Sequence, residues 1–348
     1  MSPYLITLFS LSLGLGTTLT FISSHWLLAW MGLEISTLAI IPLMAQHHHP
    51  RAVEATTKYF LTQATATAMI LFASTTNAWL TGEWDITHLL NPFASTVLTM
   101  GLALKLGLAP THFWLPEVLQ GLDLTTGLIL STWQKLAPLA LFIQIAHTTN
   151  PALLTTLGTL SMLIGGWGGL NQTQLRKILA YSSIAHLGWM IIIMQFSPQL
   201  TALALIIYII TTSTAFLSFK TATTTKISTL ALTWPKNPTL MTTTTLALLS
   251  LGGLPPLTGF MPKWLILQEL ANQDMPLIAT LAALSALLSL FFYLRLCHAT
   301  ALTISPFTNH STTPWRLKTT QMTLPLAMTT VMTLLLLPLT PTIMALMP

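Results

Sequence analysis

The chain has 348 residues, and its composition excludes a soluble protein. Hydrophobic residues make up 53% of it, whereas Asp, Glu, Lys and Arg together make up only 6%, against about 25% in an ordinary soluble domain. The net charge is +5 and the basic residues are scattered, so nothing favours nucleic acid as a partner. The single cysteine, Cys297, excludes a disulfide framework and an iron–sulfur cluster, which needs several thiolates. We interpret the chain as an all-α polytopic membrane protein.

Apolar segments of membrane-spanning length follow one another along the chain. A bilayer core of about 30 Å needs about 20 apolar residues per helix, and on this criterion we predict about eleven transmembrane helices. The apolar runs are continuous, whereas the strands of a β-barrel alternate. The first segment has no signal or transit pattern, so we expect it to be retained as a span. The predicted spans are 3–22, 26–45, 58–79, 93–120, 123–146, 151–170, 175–196, 199–219, 238–272, 275–298 and 320–346.

The fourth and ninth spans are interrupted by proline and glycine, in KLGLAPTHFWLPEVLQG and LGGLPPLTGFMPKW. Proline removes a backbone donor and clashes with the preceding turn, so both helices should be discontinuous. Interrupted helices at matching positions indicate internal repeats. Five spans per repeat is an odd number, so the second repeat should be inverted. We predict repeats at 1–146 and 147–298, then a loop and one C-terminal helix at 299–348; the alternative is two accidental Pro/Gly clusters.

Charged residues between the predicted spans separate onto two sides of the membrane. The positive-inside rule places the basic side in the matrix or cytoplasm, with the N-terminus on that side and the C-terminus opposite. The acidic side receives Glu83, Asp85 and Asp274, with Glu269 near it. The basic side receives His47, His48, His49, Arg51, Glu54, Lys58, Arg176, Lys177, Lys220, Lys226, Lys236, Arg295, Arg316 and Lys318.

Three charged side chains lie near the middle of predicted spans, Glu34, Lys105 and Lys135, and a fourth, Lys263, follows the break of the ninth span. Unpaired, they would together cost about 10–14 kcal/mol on insertion scales. One carboxylate cannot neutralise three lysines, so at least one lysine should spend part of its time neutral, which arginine could not do. A row of lysines with one carboxylate is chemically a proton relay. The alternative is that these charges only pair to fix the register of the helices.

Other titratable residues give weaker signals. His112 follows the first break and His186 lies within a span, so each is either a proton carrier at neutral pH or a core histidine with a satisfied hydrogen bond. The run His47–His49 indicates a solvated loop more than a metal site. Glu117, beyond the first break, is either a gating acid or an ordinary charge at a helix terminus.

Five strings carry a resemblance to a known family: MGLEISTLAIIPL, KLGLAPTHFWLPEV, STWQKLAPL, AYSSIAHLGW and GGLPPLTGFMPKW. Together they resemble the antiporter-like membrane-arm subunits of respiratory complex I, and within these the vertebrate mitochondrial subunit 2 type. The resemblance runs essentially end to end. It implies two inverted five-helix repeats with broken helices, and a kinship with subunits of Na⁺/H⁺ antiporters.

The resemblance implies a role for each buried charge. Glu34 matches the glutamate that pairs with the lysine of the first broken helix, Lys105. Lys135 matches the lysine that connects the half-channels, and Lys263 matches the lysine of the second broken helix. His112 and His186 match polar positions along a hydrated axis. On this mechanism, charge arriving from a neighbouring subunit separates Glu34 from Lys105, and a proton then moves by way of Lys135 towards Lys263.

The resemblance also implies the setting. The chain would be a multi-pass subunit of the mitochondrial inner membrane, coupling NADH:ubiquinone electron transfer to proton translocation beside other antiporter-like and small hydrophobic subunits and phospholipids. It would bind no cofactor itself, since NADH, FMN, iron–sulfur clusters and ubiquinone would belong to other subunits. Two alternatives remain open: a stand-alone cation/proton antiporter, and a structural spacer whose charges only lock helices.

Overall fold

Helices account for most of the described residues. A computed structural model of the chain describes residues 2–46, 49–235, 237–303 and 323–346, and within these ranges there is no extended strand. The chain divides into two units after Ser161, within the seventh helix. The first unit contains α1 (Pro3–Ile22), α2 (Trp26–Met44), α3 (Pro50–Thr81), α4 (Pro92–Leu106), α5 (Trp114–Gly121), α6 (Leu124–Ile145) and the beginning of α7 (Pro151–Gly168).

The second unit is also helical. A π-helical turn, His298–Leu302, follows α13, and a 3₁₀ turn, Leu337–Leu339, separates α14 from α15. Its α-helices are the end of α7, then α8 (Leu175–Ile193), α9 (Pro198–Thr221), α10 (Ile227–Ala231), α11 (Pro238–Gly252), α12 (Phe260–Asn272), α13 (Pro276–Cys297), α14 (Leu324–Leu335) and α15 (Thr340–Leu346).

The all-α membrane fold is confirmed, whereas the number of spans stays a prediction. Each predicted apolar segment contains at least one helix in its described part. Within the described ranges, five helices are long and apolar enough to cross a membrane, or six if the bent pair α14 and α15 counts as one span. The short helix α10 was not predicted. The predicted domain 299–348 lies only partly within the described residues, and His47, His48, Lys236, Arg316 and Lys318 lie outside them.

Proline and threonine explain how this sequence forms helices in an apolar medium. Proline opens many of the helices, as Pro92 opens α4 and Pro238 opens α11, where its missing N–H costs no hydrogen bond. Threonine hydroxyls donate back to the preceding turn, as Thr20 does to the carbonyl of Thr17 at 2.7 Å. The polar side chains therefore satisfy themselves locally and remain compatible with lipid.

The two predicted breaks share one geometry. Gly107 caps the C-terminal end of α4 and Gly253 that of α11, and both lie in the left-handed region with φ of +79°. Leu108 N donates to Ala103 O, five residues earlier in the chain, and Leu254 N donates to Leu249 O in the same way. These are Schellman caps, which satisfy carbonyls that a continuing helix would have used. Both spans are discontinuous, as predicted.

Gly253→Ala tests the second break. A residue with a Cβ costs about 1–2 kcal/mol in the left-handed region, and this Cβ would lie 2.8 Å from Cδ of Lys263. We expect clearly less folded, protease-resistant chain after extraction from its native membrane in mild detergent. The matched control is Gly14→Ala, where a Cβ meets nothing within 4 Å. Equal recovery of the two variants would contradict this geometry.

Candidate functional site

The first unit contains a small cavity beside its break, lined by polar side chains and by apolar ones such as Leu33 and Leu115. Its volume is about 10 Å³, close to what one water molecule needs. Lys105, in the last turn of α4, and Lys135, in the middle of α6, both line it and are 6% and 3% exposed. Further lining groups are Ser36, Thr37, Tyr59, Gln63, Trp114 and Gln134. Two of the predicted lysines therefore share one cavity.

Lys105 and Glu34 interact through space without a direct bond. The Glu34 carboxylate acts electrostatically on Lys105. Within the described residues, however, neither Lys105 Nζ nor Glu34 Oε2 has a hydrogen-bond partner, and both atoms are buried. A buried ammonium that keeps only a distant counter-charge is in a costly state. The pair can therefore lower its energy by moving a proton or by admitting water.

The backbone around Lys105 is held by polar side chains of neighbouring helices. Trp114 Nε1 donates to Leu104 O at 3.0 Å, across the break. Gln63 Nε2 approaches the carbonyl of Lys105 itself, at 3.5 Å. Gln134 Nε2, next to Lys135, donates to Ser36 O at 3.0 Å and so ties α6 to α2. These contacts fix the lysines relative to α2 and α3.

His112 lies within the first break. Its side chain is buried, and the centroids of its ring and the Phe113 ring are 4.3 Å apart. It does not line the cavity of Lys105. Among the described residues its Nδ1 has no hydrogen-bond partner, although the atom is buried. An unpaired buried ring nitrogen leaves one position free for water or a proton.

The second unit places Lys263 against its own break. Lys263 is 8% exposed, and its Nζ donates to Gly252 O at 2.8 Å, the carbonyl of the last residue of α11. The C-terminal end of a helix carries partial negative charge, which favours an ammonium there. Lys263 therefore has a backbone partner, unlike the ammonium of Lys105.

Lys263 and His186 line a common cavity of about 20 Å³. Tyr208 lines it as well, and its ring lies 5.5 Å from that of His186. Ser250 and Thr211 add hydroxyl groups. The second unit thus brings together two of the predicted residues, and this cavity too has room for about one water molecule.

Glu117 contacts α3 at the surface. Lys58 Nζ lies 2.8 Å from Glu117 Oε2 and 2.7 Å from Glu54 Oε1, and all three side chains are substantially exposed. The hydrogen bond from Lys58, and then its charge, hold the pKa of the Glu54 carboxyl below its ordinary value. Of the two readings of Glu117, this geometry supports a charge at a helix terminus that holds α5 on α3.

No cluster of three or more His, Cys, Asp or Glu side chains suited to a metal ion occurs in the described part of the chain. His49 lies within that part and caps the beginning of α3, accepting from Arg51 N at 3.2 Å. The rest of the run, His47 and His48, lies outside it.

Sequence reasoning missed Tyr59, Gln63, Trp114 and Tyr208. Aromatic residues in an apolar segment are read as core or lipid-facing, and the partners Tyr59 and Trp114 are far apart in sequence. One signal was present: Tyr59 and Gln63 are polar and one turn apart in α3, so they share a face of that helix.

Family comparisons agree on one group of proteins. The sequence model described as "NADH:quinone oxidoreductase/Mrp antiporter, TM" matches residues 23–289. A second, described as "NADH dehydrogenase subunit 2 C-terminus", matches residues 290–344. NADH-ubiquinone oxidoreductase chain 2 of Carassius auratus is 73% identical over 99% of both chains. That of Oncorhynchus mykiss is 70% identical over 100% of this chain and 99% of its own.

Solved structures show the same fold. A chain of respiratory complex I from Thermus thermophilus is similar with a TM-score of 0.87 and 29% identity, over 99% of this chain and 80% of that one. A chain of the Mrp complex from Dietzia has a TM-score of 0.76 over 95% of this chain and 72% of its own. At 17% identity the second likeness concerns the fold alone.

Lys58→Met tests the contact between α3 and α5. Loss of the ion pair should speed hydrogen–deuterium exchange of the α5 amides by about two- to fivefold at neutral pH, the range of an exposed pair.

Lys220→Met is the control for this experiment, since Lys220 is an exposed lysine at the end of α9. It should leave the exchange of the α5 amides unchanged. If the two variants exchange alike, the Lys58–Glu117 pair does not hold α5.

Proposed function

This chain belongs to the family of NADH-ubiquinone oxidoreductase chain 2, and from that premise we propose that its buried lysines carry protons across the membrane. The chain is a core membrane-arm subunit of respiratory complex I, and so part of a proton-translocating oxidoreductase. It is a multi-pass protein of the mitochondrial inner membrane. What remains to be assigned is the chemistry of its own residues.

One observation carries the proposal: Lys105 and Lys135 share a cavity with room for about one water, and Lys105 Nζ has no hydrogen-bond partner among the described residues, only the electrostatic influence of Glu34. Water is the simplest proton carrier between two amines, because it donates and accepts at once. An ammonium without a hydrogen-bond partner gives up its proton more readily than one with several. Moving the Glu34 charge away would therefore release a proton from Lys105 into this cavity.

In the second unit we assign proton loading to Lys263, with His186 beside it. The Gly252 carbonyl favours the ammonium form of Lys263, since an ammonium is the stronger donor and stands at the negative end of α11. His186 shares its cavity and is the side chain whose charge changes most readily near neutral pH. His112, with a free ring nitrogen, is a second carrier in the first unit.

The surroundings of the chain form part of the proposal. Neighbouring antiporter-like and small hydrophobic membrane-arm subunits, together with phospholipids, would cover its apolar faces. NADH, FMN, iron–sulfur clusters and ubiquinone would be bound by other subunits.

The distribution of charged loops supports a matrix-side N-terminus and a C-terminus in the intermembrane space. The matching caps at Gly107 and Gly253 support two five-helix repeats, at 1–146 and 147–298, within about eleven spans.

Glu34→Gln and Lys105→Met test the relay directly. Loss of an acid–base group slows proton transfer by about 10²–10⁴-fold, so NADH-driven proton translocation should fall by this chain's share of the total. The measurement is proton uptake by inner-membrane vesicles per NADH oxidised, with the amount of assembled complex determined on a native gel. Lys220→Met makes the same substitution at a lysine outside both cavities, and the complex that carries it should translocate protons like the parent.

The outcomes separate this function from its two alternatives. Unchanged translocation in a fully assembled Lys105→Met complex would refute the relay. Loss of assembly with normal coupling in the complex that remains would favour a structural spacer. Ion transport by the isolated chain, without NADH, would favour a stand-alone antiporter.

A further inference from the structure

Helix α14, which follows both predicted repeats, is joined to the second break by a buried hydrogen bond. Thr258 lies in the break, between α11 and α12, and its hydroxyl donates to Thr333 O of α14 at 2.8 Å. The two residues are 75 positions apart, and they are 2% and 0% exposed. A buried hydrogen bond of this kind fixes the distance between the two segments, because leaving either partner unpaired is costly.

Thr258 differs in this respect from the ordinary threonines of the helices. Thr244 in α11 is typical: it is 1% exposed, and its hydroxyl donates to Met241 O at 2.8 Å, three residues earlier. Such a bond closes within one turn of its own helix and does not tie that helix to another. The bond of Thr258 joins the break to α14, so it contributes to the arrangement of the helices.

The matching position of the first break holds a histidine instead. His112 lies five residues after Gly107, as Thr258 lies five residues after Gly253. Each of the two accepts, at its carbonyl, a hydrogen bond from the amide three residues later, at 3.1 and 3.3 Å. Among the described residues, however, Nδ1 of His112 has no hydrogen-bond partner. The same backbone therefore carries an unpaired ring nitrogen at one break and a hydroxyl bonded to another helix at the other.

The bond of Thr258 lies next to the contacts that place Lys263. Gly259, the next residue, packs so tightly on α11 that a Cβ there would overlap Ser250 O. One turn further along the chain, Lys263 Nζ donates to Gly252 O at 2.8 Å. Ser250, Gly259 and Lys263 all line the second cavity. Thr258 therefore ties to α14 the segment that presents Lys263 to the end of α11.

The C-terminal segment also contacts the wall of this cavity. Leu336, directly after α14, packs with Leu203 and Ile207 of α9 in one buried cluster. Ile207 itself lines the cavity of Lys263. Two separate contacts, one polar and one apolar, thus hold the end of α14 against the second site.

We propose that Thr258 is a positioning residue that holds Lys263 within reach of the Gly252 carbonyl and of the cavity it shares with His186. This inference rests on the proposed function, which assigns proton loading to Lys263. The Thr258 hydroxyl fixes the beginning of α12 on α14, and Lys263 lies in the first turns of α12. Without that bond the beginning of α12 would be free to shift and to withdraw the ammonium from the cavity. The C-terminal helix thereby becomes part of the second site.

Thr258→Val in the assembled complex tests this assignment, because valine keeps the shape of threonine and removes the hydroxyl. A displacement of about 1 Å at a reacting group can cost about 100-fold in rate, and we expect the proton translocation that depends on Lys263 to fall about tenfold. That part is the difference between the parent and Lys263→Met, measured as protons taken up by inner-membrane vesicles per NADH oxidised. Thr258→Ser keeps the donor and should translocate close to the parent, a rescue that a change in packing alone would not give.

Thr244→Val is the matched control, since it makes the same change at a buried threonine bonded within its own helix. It should translocate like the parent. If Thr258 acts through Lys263, adding Thr258→Val to Lys263→Met should cause no further loss, because changes at coupled residues are not additive. A further loss of similar size, or equal translocation by Thr258→Val and Thr244→Val, would overturn the assignment.

A smaller pair of variants covers failure of the valine complex to assemble. Thr258→Ala and Thr258→Ser differ almost only by the hydroxyl, so the alanine complex should lose the translocation that the serine complex keeps. Failure of both the valine and the alanine complexes to assemble would make the bond a requirement for folding and overturn its role in positioning.

Lys263→Met, measured alongside, separates this inference from the proposed function. If it lowers translocation while Thr258→Val matches Thr244→Val, Thr258 is not a positioning residue and the proposed function stands. If Lys263→Met translocates like the parent, proton loading at Lys263 fails, and the role of Thr258 fails with it.

Discussion

A helix that breaks inside a membrane leaves carbonyl groups with no water to bind them, and the protein must supply every donor. At the first break Gly107 folds the chain into a Schellman turn, and the Trp114 indole binds Leu104 O. At the second, Gly253 makes the same turn and the Lys263 ammonium binds the adjacent carbonyl. Trp114 and Lys263 therefore lie where the carbonyl groups of the two broken helices need hydrogen-bond donors.

The two breaks meet that demand with donors of different charge. An indole caps the first, so Lys105 is left with the distant carboxylate of Glu34 as its counter-charge. An ammonium caps the second, so Lys263 is tied to the helix end. The same backbone geometry therefore leaves Lys263 with a hydrogen-bond partner, whereas Lys105 Nζ has none among the described residues.

The helical membrane fold and the buried charges could be predicted from the sequence, but the residues that surround those charges could not. Charged residues are rare in apolar segments, so Lys105 and Lys263 can be identified directly from the sequence, and clusters of proline and glycine locate both breaks. Tyr59 could not be recognised because an aromatic residue in a span has many uses. The Lys58–Glu117 contact joins residues 59 positions apart, and no local pattern encodes such a pairing. Family membership, reached from five strings, is confirmed by the comparisons.

Helix α3 is longer than the membrane is thick. Its 32 residues extend over about 48 Å at 1.5 Å per residue, against a hydrocarbon core of about 30 Å. Such a helix must tilt within the hydrocarbon core or project beyond it. Because α3 contacts α5 through Lys58 and the carbonyl of Lys105 through Gln63, any change in the tilt of α3 would move the backbone of a buried lysine together with a surface ion pair.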